Sequence, residues 1–391
     1  MAEAYIVDAM RTAGGRRGGK LAGWHPADLG GAVLDALVDR TQVDPAAVED
    51  VIVGCVGQAG EQSFHIGRNC VLASGLPESV PAVSIDRQCG SSQQALQFAA
   101  QAVLSGTQDM VIAAGVESMT RVPMGSPTIL AAEAGLGGPK SPRMEERYPG
   151  VQFSQFLGAE MMAEKYGFSR EELDAYALES HQRAARATEA GAFENEIVPL
   201  EISGPEGSTV MHTVDEGIRF DATSESIGSV KLLKEGGRIT AANASQICDG
   251  ASAVLVVSEQ ALKDHGLTPM ARVHHLTVTG GDPVIMLEEP IGATKRALER
   301  SGMQIDDIDV YEVNEAFAPV PLAWLKAIGA DHDKLNVNGG AIALGHPLGA
   351  SGTKLMATLL NALKSRGKRY GLQTMCEGGG LANVTIVESL S

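Results

Sequence analysis

Short apolar runs alternate with helical periodicity along this chain. Val83, Ser84 and Ile85 form a largely apolar run that predicts a strand. A turn, Asp86-Arg-Gln-Cys-Gly, follows it, and Ser91-Ser-Gln-Gln-Ala-Leu96 predicts the opening of a helix. Met110 to Gly115 reads as the next buried strand. Helical patterns opened by a proline run from Pro26 to Val38 and from Pro290 to Arg300. Ser169-Arg-Glu-Glu172 predicts a capping box. Leu173, Tyr176 and Ala177 then begin an apolar helix face, with a stop near Gly191. Ala251 to Val257 and Gly371 to Cys376 predict two more buried strands.

The order of these elements repeats. Val48-Glu-Asp-Val-Ile-Val-Gly-Cys-Val-Gly-Gln-Ala59 aligns with Ile305-Asp-Asp-Ile-Asp-Val-Tyr-Glu-Val-Asn-Glu-Ala316. Gly90 to Leu96 aligns with Gly349 to Leu355, and each is followed by a helix and an apolar run. The offset stays between about 257 and 264 residues. Two α/β halves are expected, each a mainly parallel sheet covered by helices and related to the other by a pseudo-two-fold axis. The turn at Cys89 should then face the loop around His346. Residues 121–244 have no counterpart and predict an insertion over the pocket. The expected division is 1–120 with 245–268, then 121–244, then 269–391.

Composition narrows the function. The chain has 391 residues, 44% hydrophobic but only 4% aromatic, so Ala, Val, Leu and Ile must build the core. A net charge of −17 argues against nucleic acid and against an anionic membrane surface as partners. The five cysteines (Cys55, Cys70, Cys89, Cys248, Cys376) have no disulfide-framework or CxxC spacing, which fits a reducing, cytoplasmic setting. No signal peptide, apolar span or metal-ligand spacing is evident.

Cys89 sits where a strand turns into a helix, and helix N-termini favour a thiolate. Three glycine-dense or polar segments lie far downstream: Asn314-Glu-Ala-Phe317, Asn338-Gly-Gly-Ala-Ile-Ala-Leu-Gly-His-Pro-Leu-Gly-Ala-Ser-Gly352 and Cys376-Glu-Gly-Gly-Gly380. Glycine lets backbone N–H groups approach a developing negative charge. Taken singly, Asn314 reads as a helix cap, His346 as a loop side chain and Cys376 as packing. Taken together, with the repeat setting the His346 loop opposite Cys89, those separate structural readings lose ground.

Those motifs occur in the order and at the spacings of the thiolase family, which the chain resembles from end to end. The resemblance implies the thiolase fold: two duplicated α/β halves with mixed sheets covered by helices, plus an inserted loop domain. It implies acyl transfer between coenzyme A and a 3-ketoacyl-CoA, with coenzyme A as substrate and no cofactor or metal. Cys89 would be the nucleophile and His346 its base. Cys376 would be a second acid/base, and a thiol of pKa near 8 would suit protonation at carbon. Asn314 would hold a water that completes an oxyanion site with His346. The N–H groups of Cys89 and Gly378 would form the other site. Ser245 would contact the pantetheine arm, and Phe317 would line the acyl pocket. A homodimer or homotetramer is implied, with Gly60-Glu-Gln-Ser-Phe-His-Ile-Gly67 at the subunit contact.

Two features bear on the substrate. Short-chain members carry His-Met-Gly in the insertion, where this chain has Ser154-Gln-Phe-Leu-Gly158. The Gln-Phe pair is similar to degradative thiolases of bulky or branched acyl chains, including sterol side chains. Met286, by contrast, matches a pocket methionine of short-chain enzymes. A degradative enzyme is expected, with a short-chain acetoacetyl-CoA thiolase as the alternative. A condensing synthase fits less well, because Cys376 is present. A non-catalytic acyl-CoA carrier is remote. Because the chain is acidic and coenzyme A anionic, a local basic patch is expected from Arg219, Lys231, Lys234 and Arg238.

Overall fold

The computed structural model describes residues 2–204 and 207–391. One eleven-stranded sheet runs through both halves. Its main path orders Val310–Val313, Tyr370–Glu377, Leu381–Ser389, Ala271–Gly280, Ala4–Thr12, Cys248–Ser258, Met110–Ser118, Asp50–Gly54 and Ala82–Ile85. The halves join where Ala4–Thr12 meets Ala271–Gly280 through the pairs Tyr5–Arg272 and Ile6–Ala271.

The expectation of mainly parallel halves is corrected. Asp50–Gly54 runs parallel to both of its neighbours. Cys248–Ser258, however, is antiparallel to both Met110–Ser118 and Ala4–Thr12. The second half repeats this. Val310–Val313 is parallel to Tyr370–Glu377, and Leu381–Ser389 is antiparallel to both of its neighbours. An apolar run buried on both faces looks the same in either direction, so the sequence pattern could not separate the two. The repeat itself is present, but Pro45–Ala47 corresponds to Ile305–Asp307. The alignment of Val48 with Ile305 therefore slips within a short, weakly patterned turn.

Side-chain alternation builds the layers. Met110, Ile112, Leu255 and Val257 face an outer layer with Leu29, Val33, Leu34 and Leu37 of the helix Pro26–Thr41. Val111, Ala113, Val254 and Val256 face the opposite way, onto two central helices, Ser91–Ser105 and Ser351–Arg366. Beyond the second-half strands lie Pro290–Ser301 and Pro319–Ile328, packed around Tyr311, Val313 and Trp324. The central helices touch closely: a Cβ on Gly352 would stand 2.0 Å from the Gln93 nitrogen, so no larger residue fits there. Gln93 and Gln97 of one helix reach the second-half strands at Gln373 O (3.1 Å) and Val384 O (2.9 Å).

The predicted capping box forms, and its helix runs Arg170–Glu189. The insertion is more helical than the one predicted helix suggested. It also contains Ser126–Glu133, Pro142–Arg147, Gln155–Tyr166 and Ser224–Gly228. Ala159, Met162, Leu173 and Tyr176 of the insertion pack into the second-half core, beside Phe317 and Trp324. A later part of the insertion packs on the first half, where Val198, Leu200 and Ile202 join the core and Ile197–Val198 pairs with Ala4–Thr12. Among the described residues, no helix is long and apolar enough to cross a membrane. No cluster of three or more His, Cys, Asp or Glu side chains suited to a metal ion occurs among them either.

Candidate active site

Cys89 lies in the turn between Ala82–Ile85 and Ser91–Ser105, immediately before the helix cap Gly90. Gln88 takes a left-handed φ of 48° to make that turn. The thiol packs with Met119, Leu348, Leu355 and Met375 and is only 7% exposed. This burial corrects the expectation of a favoured thiolate. Desolvation pushes the thiol well above its ordinary range, and the nearby Cys376 and Glu377 push it further. A backbone hydrogen bond pulls the other way without reversing the shift, so Cys89 rests as a thiol and needs a base.

His346 follows Gly345 in the loop between Ala341–Leu344 and the second central helix. Its backbone N–H donates to Gln246 O at 3.0 Å. Its Nδ1 stands 2.5 Å from Ser351 Oγ, and that hydroxyl donates to Pro347 O at 3.0 Å. Ser351 has one proton to give, so the network assigns the second proton to Nδ1–H and leaves a lone pair on Nε2. Asn314 Nδ2 faces that lone pair at 3.4 Å. Burial, with the Lys354 ammonium nearby, lowers His346 to about 3, so the ring is neutral at pH 7.

Asn314 also approaches Cys376 Sγ at 4.0 Å. Its own Oδ1 is buried and has no hydrogen bond among the described residues. Asn314 does not cap a helix, since the next one opens at Pro319. Glu315 instead anchors the segment, accepting from Tyr176 Oη (2.9 Å), Ser180 Oγ (2.7 Å) and Asn336 Nδ2 (2.9 Å). Cys376 is fully buried, and burial pushes its thiol up to about 12, which corrects the expectation of a value near 8. It therefore starts as a proton donor. Gly378 presses on the Cys89 turn, because a Cβ there would stand 2.9 Å from Gln88 Oε1.

A cavity of about 430 Å³ opens from His346 to the surface. Ser245, Phe317, Met124, Phe156 and Leu233 are among its lining residues. Phe156 meets Phe317 edge to face, with centroids 5.5 Å apart. Met286 is buried beside Phe317 in the second-half core and is not among the lining residues. Arg219 lines the cavity, as do Arg16 and Arg17, which the sequence reading missed. Their doublet, flanked by Gly-Gly on each side, was the available signal. Lys234 lines an adjoining groove, and Arg238 a third recess that Lys234 shares. Lys231 is exposed and lines none of the three.

Comparison with known proteins accords with this geometry. The thiolase N-terminal domain matches residues 4–260, and the thiolase C-terminal domain matches 267–389. The chain is 56% identical to the steroid 3-ketoacyl-CoA thiolase FadA6 of Mycobacterium tuberculosis, over 100% of this chain and 95% of that protein. It is 42% identical to a 3-ketoacyl-CoA thiolase of Psychrobacter cryohalolentis, over 99% and 98% of the two chains. A crystal structure of human mitochondrial 3-ketoacyl-CoA thiolase superposes with a TM-score of 0.89 at 35% identity, covering 99% of each chain. With both domains matched and relatives aligned over nearly their whole length, the chain belongs to the thiolase family.

Proposed function

We propose that this protein cleaves 3-ketoacyl-CoA substrates with bulky acyl groups, using Cys89, His346, Cys376, Asn314 and the backbone at Gly378. The chain is a degradative 3-ketoacyl-CoA thiolase, an acyltransferase. In the proposed sequence, His346 Nε2 takes the Cys89 proton as sulfur attacks the 3-keto carbon. The tetrahedral oxyanion is held by the N–H groups of Cys89 and Gly378. The bond between C2 and C3 then breaks, and its electron pair passes to the acetyl-CoA fragment as an enolate. Cys376 gives its proton to that carbon. The enolate oxygen is met by protonated His346 and by a water on Asn314 Oδ1. A new coenzyme A thiol then gives its proton to Cys376 and attacks the acyl-sulfur bond. Cys89 leaves as thiolate and recovers the His346 proton.

Several observations support these roles. The Nδ1–H tautomer leaves His346 Nε2 as a base. Asn314 Oδ1 has no hydrogen-bond partner among the described residues. Cys376 rests protonated. For coenzyme A we assign Ser245 to the pantetheine arm and Arg16, Arg17 and Arg219, at the cavity wall, to the phosphates. The domain division at 120/121, 244/245 and 268/269 belongs to the same reading. So does pairing of two copies along the edge strand Ala82–Ile85, near which Phe64 is 91% exposed.

The observation that carries the substrate class is Phe156, which lines the cavity against Phe317 while Met286 sits behind it. Thiolysis should be measured along a series from acetoacetyl-CoA to ring-bearing 3-ketoacyl-CoA esters. kcat/KM is expected to rise along the series. A preference for acetoacetyl-CoA of tenfold, about 1.4 kcal/mol, would instead support the short-chain reading.

A further inference from the structure

We propose that Lys354, on the buried first turn of the second central helix, is a positioning residue for His346. It acts by clamping the backbone on which the imidazole is mounted. The proposal rests on the reading of His346 as the base.

Lys354 is 3% exposed, and the charged groups that act on it, Asp215, Arg11 and Glu196, are buried with it. Its Nζ donates to two consecutive carbonyls, Leu344 O at 2.5 Å and Gly345 O at 3.2 Å. These are the last two carbonyls before His346. Gly345 has φ 80° and ψ 159°, a region that glycine alone enters without strain. It is pressed against Cys248, where a Cβ would stand 2.6 Å from Sγ. The peptide that delivers His346 thus has a fixed, unusual conformation, and one ammonium satisfies both of its preceding acceptors.

The same turn grips the ring. Ser351 and Lys354 are three residues apart, so they share a helix face. Ser351 Oγ accepts from Nδ1–H while Lys354 Nζ donates to the carbonyls. Gln246 O accepts the His346 N–H from a third side. Removing the ammonium would free one of three anchors and leave two buried carbonyls without their donor.

Burying an ammonium is costly unless it is paired. Asp215 Oδ1 lies 3.8 Å from Lys354 Nζ. Asp215 also takes two bonds from Arg11, at 2.8 and 3.0 Å, and the Gly14 N–H at 2.7 Å. Arg11 in turn pairs with Glu196 at 2.6 Å. The next residue, Glu216, accepts the N–H groups of Arg16 (3.1 Å) and Lys20 (2.8 Å). Segment 215–219 therefore connects the clamp under His346 to Arg16 and Arg219 at the cavity wall.

The test uses the first half-reaction, in which acetyl-CoA adds about 42 Da to the Cys89 peptide. Lys354→Met keeps the volume and removes donor and charge. Its acylation rate, measured on folded enzyme, is expected to fall on the order of tenfold to a hundredfold. The dissociation constant for coenzyme A should stay within about twofold, because Lys354 lies outside the cavity wall. Lys354→Arg, which keeps the charge and several donors, should recover most of the rate. Acylation by Lys354→Met within about twofold of the parent overturns the proposal, and so does an equal loss in Lys354→Arg. If Lys354→Met does not fold, Lys354→Gln carries the test, since its amide keeps two donors on a shorter arm. Slowed acylation with unchanged coenzyme A binding then supports the clamp, and parental acylation overturns it. A parent enzyme that forms no adduct would instead sink the reading of Cys89 and His346.

Discussion

Two buried carboxyls occupy corresponding places in the two halves and live in opposite conditions. Glu117 closes the strand Met110–Ser118, and Glu377 closes Tyr370–Glu377. Each crosses to the other half and presses on the glycine-bearing turn that opens its central helix. Glu117 meets Gly349, and Glu377 meets Gly90. Glu117 accepts from Val56 N (2.9 Å), Gly57 N (2.9 Å), Gln62 Nε2 (2.8 Å) and Gly349 N (2.8 Å). Among the described residues, no hydrogen bond of ordinary geometry reaches either oxygen of Glu377. One duplicated position has become a structural hub. The other has been left unsatisfied beside the nucleophile, and buried polar groups without partners concentrate where chemistry is done.

Breaking the pair at the chemical end gives the largest effect. Cys89→Ser leaves the turn intact but replaces sulfur with a far less acidic oxygen. Thiolysis is expected to fall by at least about a thousandfold, with no adduct from acetyl-CoA and little change in the unfolding midpoint. Adduct formation at the normal rate would place the nucleophile elsewhere.

Next in size is Glu117→Gln. An amide has one acceptor oxygen, so its NH₂ would face donors now held by the second carboxylate oxygen. Each buried group left unsatisfied costs about 1–3 kcal/mol, so we expect a loss on the order of 3 kcal/mol in urea unfolding. A change below about 0.5 kcal/mol would show that the hub can be dispensed with.

How much of this was legible in the sequence follows from where each signal lives. The repeat set the His346 loop opposite the Cys89 turn and the thiolase motifs pointed to Asn314 and Cys376, and the structure links the last three through Asn314. The direction of Cys248–Ser258 was not legible, because Ala251 to Val257 is apolar on both faces. Lys354 was missed because a lysine in a helix ordinarily points to water. Only the sandwiching of Ser351–Arg366 between the first-half and second-half strands of the sheet makes it a buried cation. The resting state of Cys89 was misread for a related reason: a strand-turn-helix pattern reveals the helix end but not the depth of burial around it.

Glu377→Gln gives the smallest effect at neutral pH, and its sign separates the two carboxyls most cleanly. Burial raises Glu377 from an ordinary 4.5 to about 8, although Arg87 and the Asn383 N–H pull it down. The native state keeps a proton that the unfolded chain releases, so this group's contribution to stability is complete below about pH 4.5 and is lost as pH rises to about 8. Glutamine has no such proton to lose. Relative to the parent, Glu377→Gln should gain stability with rising pH, by about 1–3 kcal/mol at pH 8, and level off above it. Activity should follow the same coordinate. A charged Glu377 raises both Cys89 and Cys376 and opposes the oxyanion formed between them. The parent should therefore lose kcat above about pH 8, where the variant retains it. Parallel pH profiles for parent and variant, in both unfolding and kcat, would mean that Glu377 is already satisfied in solution and no different in kind from Glu117.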